Sequence, residues 1–185
     1  MRMRSSKVVV FLLTFFILLS QVFTSSFALA DNKVPFTIFH TNDMHGRLGY
    51  EEYKGKPTSF GSAREKALID KEKKENPNRT VIALDAGDAL QGLPVSNQSK
   101  GQDMAKAMNE IGYKAMAAGN HEFDFGLDTV EKYKNNPQNG GWLNFPILST
   151  NVYKDGKRLF EPSTIINENG VKIGIVGVTT PETAN

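Results

Sequence analysis

The sequence contains no cysteine, which excludes a disulfide framework; stability has to come from a packed core or from bound metal. Beyond its first thirty residues it has no long apolar run, no low-complexity linker and no internal repeat, so no later segment is expected to cross a membrane. Charge of one sign is also lacking: 22 Lys and Arg stand against 20 Asp and Glu. Three of those bases, Arg2, Arg4 and Lys7, lie at the very start with no acid among them, and without them 19 bases face 20 acids. That balance gives no support to a positive face for nucleic acid polymers. Histidine is scarce too. His40, His45 and His121 are the only three, and none follows position 121.

What is present begins with an address. A basic start, an apolar run over residues 8–19 broken only by Thr14, and the exit Ala28-Leu29-Ala30 describe a secretory signal peptide. A helix of about twelve residues rises only ~18 Å, short of the ~30 Å hydrocarbon core, so a membrane anchor is the weaker reading. The expectation is an exported protein, extracellular, cell-surface or periplasmic, whose mature chain starts at Asp31.

From there apolar runs and helical periodicities alternate. Strands are expected at residues 36–41, 81–84, 114–118 and 146–150. Ser62 and Glu65 have the spacing of a capping box that opens a charged, solvated helix ending before Pro77. Met104, Ala107, Met108 and Ile111 fall on one helical face, and Leu127, Val130 and Tyr133 suggest another helix. Residues 164–166 and 171–178 read as a hairpin turning at Asn169-Gly170, the preferred type I′ dipeptide. The sum is an α/β layered fold with residues 31–185 as one domain. The chain reads as an N-terminal portion, because it stops directly after a strand-like run.

Each of the first three strands runs into a cluster of metal-type or acid–base side chains. The first delivers Asn42, Asp43, His45 and Arg47, the second Asp85 and Asp88, the third Asn120, His121, Glu122 and Asp124. Ligands gather beyond the carboxyl ends of strands in open α/β sheets. An Asp-x-His pair can offer a carboxylate and an imidazole to one ion, and a further carboxylate can bridge two. Gly87 allows the backbone to approach such a site closely. Mixed nitrogen and oxygen donors suit Mn, Zn, Fe or Co better than Ca or Mg alone. Asp124, three residues from His121, can fix its tautomer and stabilise the imidazolium.

The blocks HTNDMHGR at 40–47, GDALQG at 87–92 and GNHEFDFG at 119–126 resemble the first three signature blocks of the calcineurin-like metallophosphoesterases, in the secreted bacterial 5′-nucleotidase branch. The resemblance implies a four-layer α/β/β/α sandwich of sheets flanked by helices, of which this chain is the N-terminal part. It implies two divalent metal ions, with Asp43 and His45 on the first, Asp88 bridging and Asn120 on the second. It makes His121 and Asp124 the catalytic pair, and Asn120 and His121 the contacts to substrate phosphate. The substrate implied is a nucleoside 5′-monophosphate. A 2′,3′-cyclic-nucleotide phosphodiesterase or a nucleotide-sugar hydrolase on the same scaffold stays open, as does a non-catalytic exported fragment that binds metal. Two further histidine-bearing blocks of the family have no counterpart here, so the chain by itself is expected to be inactive. Of the remaining candidates, His40 is read as packing within its strand. Asp85 is read as steadying a turn, Glu122 as supporting the site, and Arg47 as a salt-bridge partner or phosphate contact. Phe123 and Phe125 are read as core.

Overall fold

The computed structural model describes residues 34–184 except 135, so the expected signal segment 1–30 lies outside the described residues. Along the chain run β1 (Phe36–Thr41), β2 (Glu51–Tyr53), β3 (Lys56–Ser59), α1 (Ser62–Glu75), β4 (Thr80–Asp85) and α2 (Pro94–Asn97). They are followed by α3 (Gln102–Ile111), β5 (Tyr113–Ala117), α4 (Leu127–Lys134) and β6 (Ile147–Leu148). The pairs β7 (Tyr153–Lys154) with β8 (Lys157–Arg158) and β9 (Ser163–Glu168) with β10 (Val171–Val176) complete the order. No helix among the described residues is long and apolar enough to cross a membrane.

The centre is a parallel sheet in the order β1-β4-β5-β6, its strands joined by helical crossovers. β4 is apolar at Val81, Ile82 and Ala83, all buried, which is the pattern of a strand covered on both faces. α1 and α3 pack against each other on one face of the sheet, and the β9–β10 hairpin touches β4. The core joins Ile69 of α1, Met104 and Met108 of α3, Met116 of β5 and Tyr133 of α4. Met104 is fully buried, so Met104→Ala should lower stability by about 2–5 kcal/mol in chemical denaturation. A loss under about 1 kcal/mol would show that the site collapses around the gap.

The capping box does not form. Gly61, at φ 74°, takes the cap position, and the Ser62 hydroxyl is buried with no hydrogen-bond partner. Glu65 turns inward to Tyr113 instead. The face of α3 is also shifted: Ala105 is fully buried where Ala107 is only partly so. From β10 to Val178 exposure alternates along the chain. Val176 and Val178 are each 65% exposed, while Ile173 and Ile175 are half-buried, as successive side chains of a strand must point to opposite faces.

The end of the hairpin is latched to the sheet by Thr179. Its hydroxyl donates to the Ala118 carbonyl at 2.7 Å, and Asn151 brackets its backbone, accepting from its N–H at 2.9 Å and donating to its carbonyl at 2.7 Å. The carboxyl ends of β5 and β6 are thereby fixed just where the third polar loop begins.

Candidate metal centre

The loops after β1 and β4 are stitched together by their backbones before any side chain is considered. Asp43 N–H donates to the Gly87 carbonyl at 3.0 Å, His45 N–H to Asp88 at 2.9 Å and Gly46 N–H to Ala89 at 2.9 Å. Leu93 N–H returns to the His45 carbonyl at 2.9 Å. Asp43, His45 and Asp88 sit in the left-handed region at φ 52°, 46° and 57°. Such conformations cost of order 1–3 kcal/mol each and persist where the surroundings over-determine them. Gly87, at φ 103°, is where these loops meet the third: a Cβ there would lie 2.6 Å from the Gly119 nitrogen.

This backbone converges side chains of the three loops. His45 Nδ1 lies 3.0 Å from the Gln91 carbonyl, which can only accept, so Nδ1 carries a proton and Nε2 is the ring nitrogen left for a cation. His45, Asp88 and His121 each bring a donor atom to within 4.8 Å of the others. The two imidazoles meet edge to face with centroids 5.1 Å apart. His121 N–H donates to Asp88 Oδ1 at 2.9 Å, and its ring Nδ1 lies 2.8 Å from Asp124 Oδ2. That hydrogen bond raises the imidazole's pKa above the ordinary value, with burial opposing and the charges of Asp124, Asp88 and Glu122 assisting.

Asp43 stands at the edge of the cluster, its Oδ1 4.0 Å from His45 Nε2 and its Oδ2 held by the Asn42 amide. Asn120 precedes His121, and its side chain makes no hydrogen bond among the described residues. The geometry thus groups His121 with His45 and Asp88, whereas the resemblance sets it apart from the metal ligands. Two imidazoles, a carboxylate, a second carboxylate nearby and an uncommitted amide form a donor set that fits divalent cations of the Mn, Fe, Co or Zn type. His40 lies on the exposed side of β1, outside this cluster. Arg47 forms an ion pair with Glu51 at 3.3 Å. Phe123 packs edge to face on Phe160, with ring centroids 5.8 Å apart, as part of the core's margin.

Behind the centre lies a chain of oxygens that the sequence did not announce. Asp85, 5% exposed, accepts from Gly87 N–H at 2.8 Å and meets the Thr41 hydroxyl at 2.6 Å. Thr41 in turn meets the Tyr113 hydroxyl at 2.6 Å, and Tyr113 meets Glu65. Asp85–Thr41, Thr41–Tyr113 and Tyr113–Glu65 are three contacts, each needing a proton, and the two hydroxyls supply only two. The third must reside on Asp85 or Glu65. Burial pushes both carboxyls up, Asp85 to about 7, with the charges of Glu122 and Glu65 adding to it. The sign follows directly. From about 4 to about 7 the folded chain holds a proton that the unfolded chain has released, so stability falls as pH rises through that window. The slope for one proton is at most ~1.4 kcal/mol per pH unit. Asp85→Asn, whose amide can donate to Thr41 in the proton's place, should flatten that slope in denaturant titrations of the chelator-treated protein at several pH values. An unchanged slope would rule out the shared proton.

Over residues 36–181 the chain matches the calcineurin-like phosphoesterase family. It is 41% identical to a 5′-nucleotidase of Vibrio parahaemolyticus over 84% of this chain and 27% of that protein. Its fold is similar to the crystal structure of a 5′-nucleotidase precursor from Thermus thermophilus, with TM-score 0.65 and 34% identity over 80% of this chain and 29% of the other. It is also similar to the NAD nucleotidase of Haemophilus influenzae, with TM-score 0.63 and 30% identity over 80% of this chain and 27% of that one. The chain thus spans only 27% of the length of the first curated relatives it matches.

Proposed function

We propose, from the premise that this chain belongs to the calcineurin-like phosphoesterase family, that it carries the metal-binding part of an enzyme hydrolysing nucleoside 5′-monophosphates to nucleoside and phosphate. The observation that carries the reading is the convergence of His45, Asp88 and His121 to within 4.8 Å, at the loop ends of adjacent parallel strands. The 5′-nucleotidases that the chain resembles supply the substrate class. Two divalent cations would be held by Asp43, His45, Asp88 and Asn120, with Asp88 shared. When bound, such cations acidify water and neutralise phosphoryl oxygens.

The chain's own residues supply the rest. Water's oxygen forms a bond to phosphorus, the bond to the nucleoside oxygen breaks, and the departing oxygen takes up a proton. His121 keeps Nδ1 on Asp124 and turns Nε2 to the reacting phosphate, where the imidazolium donates to an oxygen gaining charge. Asp124 fixes that tautomer and balances the positive ring. Asn120 contacts the phosphate from the same loop. Residues 1–30 act as an export signal, which places the enzyme outside the cytoplasm.

A nucleotide-sugar or dinucleotide substrate is the second reading, favoured by the fold's similarity to an NAD nucleotidase. The test is hydrolysis of AMP, 2′,3′-cyclic AMP and NAD by the intact protein in parallel, read by chromatography of the nucleoside and nucleotide products, before and after chelation. AMP should be the preferred substrate, with activity lost to chelator and restored by Mn or Co. Activity indifferent to chelator, or no turnover of any of the three, would defeat the proposal.

A further inference from the structure

The residue that does most to shape the centre offers no atom to a cation. Glu122 is fully buried, and both of its oxygens are spent on backbone. Oε2 accepts from Asp88 N–H at 2.9 Å and Gly119 N–H at 2.7 Å. Oε1 accepts from Ala89 N–H at 3.0 Å and Leu90 N–H at 3.3 Å. We infer that Glu122 is the positioning residue of this site: a buried anion that sets the loops after β4 and β5 in their metal-binding geometry before any cation arrives. The inference rests on the preceding reading that these loops hold metal.

The charge state follows from the contacts. A carboxylate has about four lone-pair directions, and four N–H donors occupy them. A proton would have to displace one of these donors. Burial and the nearby Asp88 charge push the carboxyl up, and the backbone amides oppose them.

Three of the donors are successive residues, 88 to 90, and their N–H groups can turn toward one anion because Asp88 adopts φ 57°. This is the concave array of amides by which backbones hold anions, here filled by the protein's own side chain. The conformation that costs Asp88 strain is the one that Glu122 rewards. The other side of Asp88 is held by His121 N–H on Oδ1, so backbone and side chain of the candidate bridging ligand are both fixed. The loops are close enough for the span to matter: a Cβ on Gly119 would fall 2.6 Å from the Asp88 nitrogen. Aspartate at position 122, shorter by one methylene, could reach only one pair of donors. Glutamine would aim an NH₂ group at two N–H groups.

The experiment uses the intact protein and its Glu122→Gln and Glu122→Asp variants. Mn²⁺ affinity is measured by titration calorimetry without substrate, and turnover of AMP is followed at rising Mn²⁺. Both variants should bind Mn²⁺ ~10–100-fold more weakly, and excess Mn²⁺ should recover kcat with KM nearly unchanged. A merely structural loss would not be recovered in that way. Independently, in the metal-free wild type the amides of Asp88, Ala89, Leu90 and Gly119 should exchange with solvent as slowly as the β4 core. A folded Glu122→Gln protein with wild-type Mn²⁺ affinity overturns the proposal. So does rapid exchange of those amides without metal, which also decides the matter if the variants do not fold. Failure of the wild type to bind Mn²⁺ at all would instead defeat the metal reading, leaving the exchange result to judge the clamp.

Discussion

Asp88→Asn should empty the centre of metal and reduce turnover more than ~100-fold, beyond the loss typical for residues that only support a ligand. The replacement is nearly isosteric, so its effect isolates charge. Among the three side chains whose donor atoms converge, Asp88 is the only carboxylate, and a carboxylate is the one donor that can offer an oxygen to each of two cations. Asparagine keeps one oxygen, which can go on accepting from His121 N–H, and gives the other place to NH₂, which repels a cation. The fold should survive, because the loop is held through the Asp88 backbone on Glu122 and the His45 amide. Circular dichroism and thermal unfolding then serve as controls. His45→Ala is the comparison, since it removes a donor belonging to one cation. Metal analysis of dialysed variants should rank Asp88→Asn below His45→Ala. If Asp88→Asn keeps two ions per chain while His45→Ala keeps none, Asp88 does not bridge.

How far the sequence foretold this centre depends on which forces act locally. β1, β4 and β5 were legible because β-branched and apolar runs report burial directly, and their loops carried donor residues in plain view. The β9–β10 turn was legible because Asn169 and Gly170 both need positive φ, observed at 52° and 79°. The same signal at Asp155-Gly156, at φ 51° and 76°, marks the β7–β8 hairpin. The β2–β3 hairpin turns on Lys54-Gly55, and lysine gives no warning of its φ of 51°.

The misread helix start is more instructive. Ser62 and Glu65 have the right spacing for a reciprocal cap, yet tertiary contact with Tyr113 draws Glu65 away and Gly61 takes the turn. Spacing along a chain describes what two residues can do for each other, not what a third from another strand offers. Glu122 reads as supporting the site, but its four backbone partners and the Asp85–Thr41–Tyr113–Glu65 chain were hidden for that reason. Most are bargains between elements more than thirty residues apart, among them the Asp88–Glu122 hydrogen bond across 34 positions and the Thr41–Asp85 hydrogen bond across 44. The division of labour between His121 and the ligands is likewise outside sequence reach, because it depends on where a free Nε2 points.

His121→Ala is the change that separates those roles. The expected result is a fall in kcat of ~10²–10⁴-fold, the range for a positioned acid or base, with KM little altered and metal content near wild type. The ring is 38% exposed and Asp124 37%, so their hydrogen bond adds little to stability, and the variant should unfold close to the wild-type temperature. An effect confined to kcat means an interaction made in the transition state, as a donor aimed at developing charge on phosphate would make. Asp124→Asn should move the same way by a smaller factor. Its amide can donate to Nδ1, which shifts the ring proton to Nε2 and removes the charge that favours imidazolium. The proximity of His121 to His45 and Asp88 sets the opposing case. If His121→Ala strips the centre of a cation and excess Mn²⁺ restores kcat, then His121 is a ligand, and the imidazole held by Asp124 serves metal rather than phosphate.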